Sequence, residues 1–294
     1  MGDLFSKEFV DAISQIRLNA GTVPRGGIHG AHVSTQLGGG MEFSDFRLYA
    51  PGDDIRRIDW NLYSRSGRLF LRLFEEERDL PVYTLLDCSD SMFFEDPPRA
   101  NAGKQAAAIF IGAALNQHDR PSLYPFGETL NEGFPTLSSS RALPAALQRL
   151  AAIGPCGLTN LPAAVHKLKA LRLRRGVVAI ISDFFDPAGI ETLLESLNGL
   201  RHKLLLIQLY DERDSNPTLD GELSLVDCET DHNLKVTVTP KLIEEYKKVH
   251  MDFQNKLLEF STKRRAGYIS INIQRNVLAQ FMDLFSNGVI TTGG

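Results

Sequence analysis

Five oxygen-bearing side chains in this chain are spaced to serve one hard cation. Asp87, Ser89 and Ser91 lie in the run Leu85-Leu86-Asp87-Cys88-Ser89-Asp90-Ser91-Met92. Thr159 follows in Gly157-Leu158-Thr159-Asn160, and Asp183 in Ile180-Ile181-Ser182-Asp183. Hard divalent cations prefer oxygen ligands, and magnesium in particular binds through few carboxylates and keeps open positions. Two carboxylates and three hydroxyls would supply oxygens to magnesium, or to another divalent cation such as manganese or calcium. With two anionic ligands the ion stays electrophilic, so water or an incoming carboxylate would complete its shell.

Those residues need elements to hold them. Val82–Leu86 is apolar throughout and stops at an acid, as a strand buried on both faces does at the edge of a sheet. Gly176–Ile181 ends the same way before Asp183. Thr159 precedes a helix expected from Pro162, a favoured first-turn residue. Further strands are expected at Ser122–Pro125, Lys203–Leu209 and Tyr268–Ile273. Helices are expected at Asn101–Gln117, Ser139–Ile153, Leu161–Leu171, Ala188–Leu197, Lys241–Phe260 and Asn276–Phe285. Strands alternating with helices imply an α/β fold, a doubly wound and mostly parallel sheet of Rossmann-like character. Ligands of such sheets sit outside the carboxyl ends of the strands, where strand order reverses.

Residues 211–239 break the alternation. The runs Leu223–Asp227 and Leu234–Val238 flank Cys228-Glu229-Thr230-Asp231-His232-Asn233 and read as an inserted hairpin. Upstream, residues 7–18 carry Phe9, Val10, Ile13 and Ile16 at helical spacing. Residues 19–41 are glycine-rich and read as a loop. From Glu42 to Asp79 aromatic residues interleave with arginines, and Leu69, Leu71 and Leu73 alternate as in a strand. Asp59-Trp60 and Ser66-Gly67 read as bends of a small antiparallel unit. The domains expected are an N-terminal helix/β extension over 1–81, the α/β domain over 82–285 and a tail over 286–294.

With these runs on the page, the sequence resembles two known patterns. Asp-x-Ser-x-Ser with a distant Thr and a later Asp resembles the metal-ion-dependent adhesion site of von Willebrand factor type A domains. The segment Gly40-Met41-Glu42-Phe43-Ser44-Asp45-Phe46-Arg47-Leu48-Tyr49-Ala50-Pro51-Gly52-Asp53-Asp54-Ile55-Arg56-Arg57-Ile58-Asp59-Trp60 resembles the signature of the bacterial "domain of unknown function 58" family. The resemblance implies a von Willebrand factor type A-like fold and a MoxR-type AAA+ ATPase as protein partner. It implies no established enzymatic activity.

Composition narrows the alternatives. Of 294 residues 43% are hydrophobic and 23% charged, which is globular rather than disordered. A net charge of −4 argues against general nucleic-acid binding. Between Asp53 and Asp79 six arginines meet seven acids, so an internal ion-pair and turn network is expected there. Three scattered cysteines, Cys88, Cys156 and Cys228, point to a reducing compartment. No basic-then-apolar leader opens the chain, and no run approaches the ~20 apolar residues that span a bilayer. The expectation is a cytoplasmic protein. His29 and His32, three apart in a glycine-rich loop without an adjacent third ligand, are too weak a signal for a metal pair, Cys88 and Cys156 read as two small buried thiols, and Asp90 is expected to face solvent. Gly103-Lys104 lacks the rest of a phosphate loop, and Ser89 and Ser91 lack a nucleophile elbow.

Three functions follow in order of preference. The first is a metal-dependent protein–protein interaction module, working with the ATPase in chaperone-like assembly or maturation of other proteins. The alternative is a metal-dependent, phosphatase-like hydrolase using Asp87, although the position two residues on is Ser89 rather than a second acid. The third is a structural protein in which the five residues only cap loops.

Overall fold

A computed structural model describes residues 4–17, 41–51, 53–76, 80–230, 232–286 and 291–292. The glycine-rich stretch at 19–40, with His29 and His32, lies outside the described residues. In chain order the strands are β1 (Ile16–Arg17), β2 (Met41–Leu48), β3 (Phe70–Glu76), β4 (Pro81–Asp87), β5 (Arg120–Phe126), β6 (Val177–Ser182), β7 (Lys203–Tyr210), β8 (Gly221–Val226), β9 (Asn233–Val238), β10 (Gly267–Asn272) and β11 (Thr291–Thr292). The helices are α1 (Lys7–Ile13), α2 (Trp60–Ser66), α3 (Ser91–Phe94), α4 (Arg99–Asn116), α5 (Leu143–Ala151), α6 (Leu161–Ala170), α7 (Ile190–Asn198), α8 (Glu212–Ser215), α9 (Pro240–Arg264) and α10 (Val277–Ser286).

The chain forms two compact units, one of Met1–Ile28 with Leu80–Gly294, the other of His29–Asp79. The larger holds a five-stranded sheet in the order β10-β7-β6-β4-β5, every neighbouring pair parallel. The α/β fold class expected from the sequence is observed. The strands are apolar on both faces because both are covered. Leu86, Ile181, Ile207 and Leu209 pack under α4, α5 and α10, while Leu85, Val178, Ile180 and Leu206 pack under α6, α7 and α9. After β4 the chain goes to β5 on one side, then crosses to β6 on the other. The strand order therefore reverses between β4 and β6, where a doubly wound sheet opens a crevice at its carboxyl edge. Asp87 ends β4 and Asp183 follows β6 at that edge.

Helix α4 is buried along almost its whole length, which its alanines permit. Gly103 and Lys104 lie inside it, so they pack rather than cradle phosphate. Lys104 Nζ donates to the carbonyls of Ala151 (3.2 Å) and Ile153 (2.6 Å), the orphan acceptors at the end of α5. Helix α1 groups with this unit: Phe9 and Ile13 are in its core, and Asn116 Nδ2 donates to the carbonyls of Ile13 (2.9 Å) and Ile16 (2.8 Å). The helix expected over 7–18 stops at Ile13, because Ile16–Arg17 pairs antiparallel with Thr291–Thr292.

In the smaller unit β2 and β3 form an antiparallel ribbon with a register shift between Phe43 and Asp45. The two bends expected at Asp59-Trp60 and Ser66-Gly67 are instead the two ends of α2. Asp59 Oδ1 caps it by accepting from the Leu62 N–H (2.8 Å), and Gly67 closes it at φ 65°. Asp53 pairs with Arg47 (2.8 Å) and accepts from the Ala50 N–H (2.8 Å), which fixes the turn between.

Candidate metal centre

Asp87 is fully buried at the end of β4. Its Oδ1 accepts from the Ser89 N–H (3.0 Å) and Oγ–H (2.7 Å), and its Oδ2 from the Ser182 Oγ–H (2.6 Å). Ser89 Oγ lies 3.0 Å from Ser91 Oγ. Asp87, Ser89 and Ser91 thus form one hydrogen-bonded chain, and Ser182 ties it to the end of β6.

The Thr159 loop is fastened to the other two. Asp90 Oδ1 accepts from the Gly157 N–H (3.0 Å), and the Asp90 N–H donates to the Gly157 carbonyl (2.9 Å). Asp90 therefore binds the neighbouring loop instead of facing solvent, as the sequence had suggested. The Cys156 N–H donates to the Cys88 carbonyl (2.6 Å). Asp186 Oδ2 accepts from the Leu161 N–H (2.8 Å), joining the loop after β6 to the first turn of α6. Gly127 lets the β5 loop approach: a Cβ there would drive into the backbone carbonyl of Cys156.

Asp183 follows β6, is nearly buried, and accepts from the Phe185 N–H at Oδ1 (3.0 Å). Its Oδ2 lies 3.5 Å from Arg99 Nη1. Arg99 also pairs with Glu95 (2.9 Å) and Asp214 (2.6 Å). Burial opposes the arginine's charge, but these carboxylates outweigh it and raise its pKa. Sequence reasoning missed Arg99, because its position at the start of α4 gave no sign that it turns toward Asp183.

No hydrogen bond joins Thr159 to the other four. Its N–H and Oγ–H donate to the two carboxylate oxygens of Glu229, at 3.0 and 2.7 Å. Glu229 sits at the tip of the β8–β9 hairpin and also escaped the sequence analysis. A cleft of about 750 Å³ opens beside the site, lined by Ser91, Asp183 and Glu229 with Phe94, Phe185 and Val249 on its walls.

Burial dominates the electrostatics of the two acids. Burial pushes the Asp87 carboxyl up to about 6, against the bonds from Ser182 and Ser89 and with help from the Glu229 charge. Burial, and then the charge of Asp87, pushes Asp183 up to about 7. Among the described residues no three His, Cys, Asp or Glu side chains form a metal-holding group, so a cation would depend on the hydroxyls as well as the two acids. That all-oxygen donor set fits a hard divalent ion. Beside it, the Cys88 thiol is raised by its bond to Cys156 and by burial. Cys156 is lowered to about 7, chiefly by the same bond.

Comparison with known proteins adds the family. Residues 45–256, well over half of the chain, match the family described as "Protein of unknown function DUF58". The chain belongs to this family. The match takes in the latter part of the signature segment together with Asp87, Ser89, Ser91, Thr159, Asp183 and Glu229. The uncharacterized protein Rv1480 of Mycobacterium tuberculosis (strain ATCC 25618 / H37Rv) is 27% identical over 253 residues, 83% of this chain and 78% of its own. Among solved structures the chain is similar to the conserved hypothetical protein BatB from Bacteroides thetaiotaomicron (14% identity, TM-score 0.42, 69% of this chain and 95% of that one). It is also similar to the vWF domain of the type V pili tip protein Mfa5 from Porphyromonas gingivalis (10% identity, TM-score 0.38, 74% and 97%). Among the described residues no helix is long and apolar enough to cross a membrane.

Proposed function

We propose that the chain is a metal-dependent protein-interaction module. Asp87, Ser89, Ser91, Thr159 and Asp183 would hold magnesium or a similar divalent ion, and the ion would attract an acidic side chain of a partner. One observation carries this reading: two buried acids, Asp87 and Asp183, stand at the reversal point of the sheet, beside a cleft with an apolar rim. Phe94, Phe185 and Val249 on that rim are 74%, 41% and 68% exposed. Exposed apolar groups around a polar centre are the composition of a protein-docking surface. Asp87 accepts from Ser89 and Ser182, so its oxygens are held in place for a ligand role.

The partner we favour is a MoxR-type AAA+ ATPase, with the pair acting in assembly or maturation of other proteins in the cytoplasm. The family resemblance supports this choice. The test is capture of the MoxR-type ATPase of the same genome by the immobilised full chain. Capture in magnesium should be lost with a chelator and in Asp87→Ala, with the circular dichroism of the variant unchanged. Equal capture under all three conditions would remove the metal from the mechanism.

A further inference from the structure

The carboxylate of Glu229 is gripped at both oxygens by Thr159. Because the threonine hydroxyl spends its hydrogen on Glu229, its lone pairs remain free for a cation. Glu229 shares the cleft with Ser91 and Asp183. A third acid beside two buried ones is costly unless positive charge joins them; Arg99, 3.5 Å from Asp183, supplies one such charge, and a bound cation would add to it. On the same cleft Arg99 is 5% exposed, and its Nη1 has no hydrogen-bond partner. A carboxylate delivered to this place is what the proposed metal asks of a partner, and here the chain supplies its own.

The hairpin that carries Glu229 is self-contained. Strands β8 and β9 form a two-stranded sheet of their own, from Gly221↔Val238 to Val226↔Asn233, and both faces are largely exposed. Its turn is closed internally. Asp227 Oδ1 accepts from the N–H groups of Glu229 (2.8 Å) and Thr230 (2.9 Å), and the Asp227 N–H donates to the His232 carbonyl (2.9 Å). The tip can leave Thr159 without unfolding its own turn.

We propose that Glu229 is an internal ligand of the metal centre, holding the position that a partner's acidic side chain takes, so that partner binding requires the β8–β9 tip to withdraw. This rests on the metal reading of the Asp87 site and adds to it a competitor within the chain. A partner acid must then outbid a tethered carboxylate, whose effective concentration is high, so weak acidic ligands are excluded.

The test uses the chelator-stripped full chain, manganese as the metal, acetate as the carboxylate and water-proton relaxation as the readout. Glu229→Ala and Glu229→Gln should each weaken manganese binding on the order of tenfold. Both should raise the relaxation enhancement per bound ion, because water enters the vacated position. Acetate should then lower that enhancement in the variants at concentrations to which the parent chain does not respond. Identical affinity and relaxation in parent and variants would overturn the proposal. So would a Glu229→Gln chain that behaves like the parent, since glutamine keeps one acceptor for Thr159 but loses the charge and the second carboxylate oxygen. Manganese binding to none of the three folded chains would instead remove the metal reading, and this proposal with it.

Discussion

Replacing Asp87 by Asn should stabilise the protein in chelator at high pH. The carboxyl is buried and pushed up from 3.8 to about 6. A carboxyl with a raised folded pKa makes the folded state bind the extra proton between about 3.8 and about 6. Stability therefore falls as pH rises through that window and stays low above it. The gap is worth ~3 kcal/mol at about 1.36 kcal/mol per pH unit. Asn keeps an Oδ1 for the Ser89 N–H and hydroxyl and removes the charge, while its amide must find an acceptor at Ser182. The net expectation is a gain of ~1 to 3 kcal/mol at pH 8 that disappears near pH 4, where the parent carboxyl is protonated. Urea unfolding at pH 8 and pH 4, both with chelator, measures it. A variant less stable than the parent at pH 8, and by more than at pH 4, would refute the argument, because the carboxylate would then be favourably held rather than penalised by burial.

Two further substitutions test how the site is positioned. Gly127→Ala forces a Cβ into the Cys156 carbonyl, so it should cost more than ~2 kcal/mol and weaken magnesium binding by shifting the Thr159 loop. Unchanged urea unfolding and unchanged calorimetric binding would show that the loops can part freely. Ile13→Ala removes a fully buried side chain of α1 and should cost ~3 kcal/mol in urea unfolding. A loss below ~1 kcal/mol would show that α1 is not part of the core.

Much of the framework was legible because the strands announce themselves. Short, β-branched-rich apolar runs that stop at Asp87 and just before Asp183 read as buried strands delivering acids to a sheet edge, and the reversal between β4 and β6 puts both there. The ends of α2 were misread as bends because seven residues are too few to show helical periodicity. The β1–β11 pairing is two residues long and joins opposite ends of the chain. No local pattern encodes that. Glu229 reaches Thr159 across 70 positions through an inserted hairpin, so its role depends on where the hairpin lands. Arg99 and Asp90 act through partners on other loops, which composition and spacing do not reveal.

The most direct measurement is calorimetric titration of magnesium into the chelator-stripped full chain, alongside Asp87→Ala and Asp183→Ala. Saturable one-to-one binding by the parent, lost in both variants while their circular dichroism stays native, is the result expected. Absence of binding by the parent, or equal binding by all three, would contradict a metal centre built on Asp87 and Asp183.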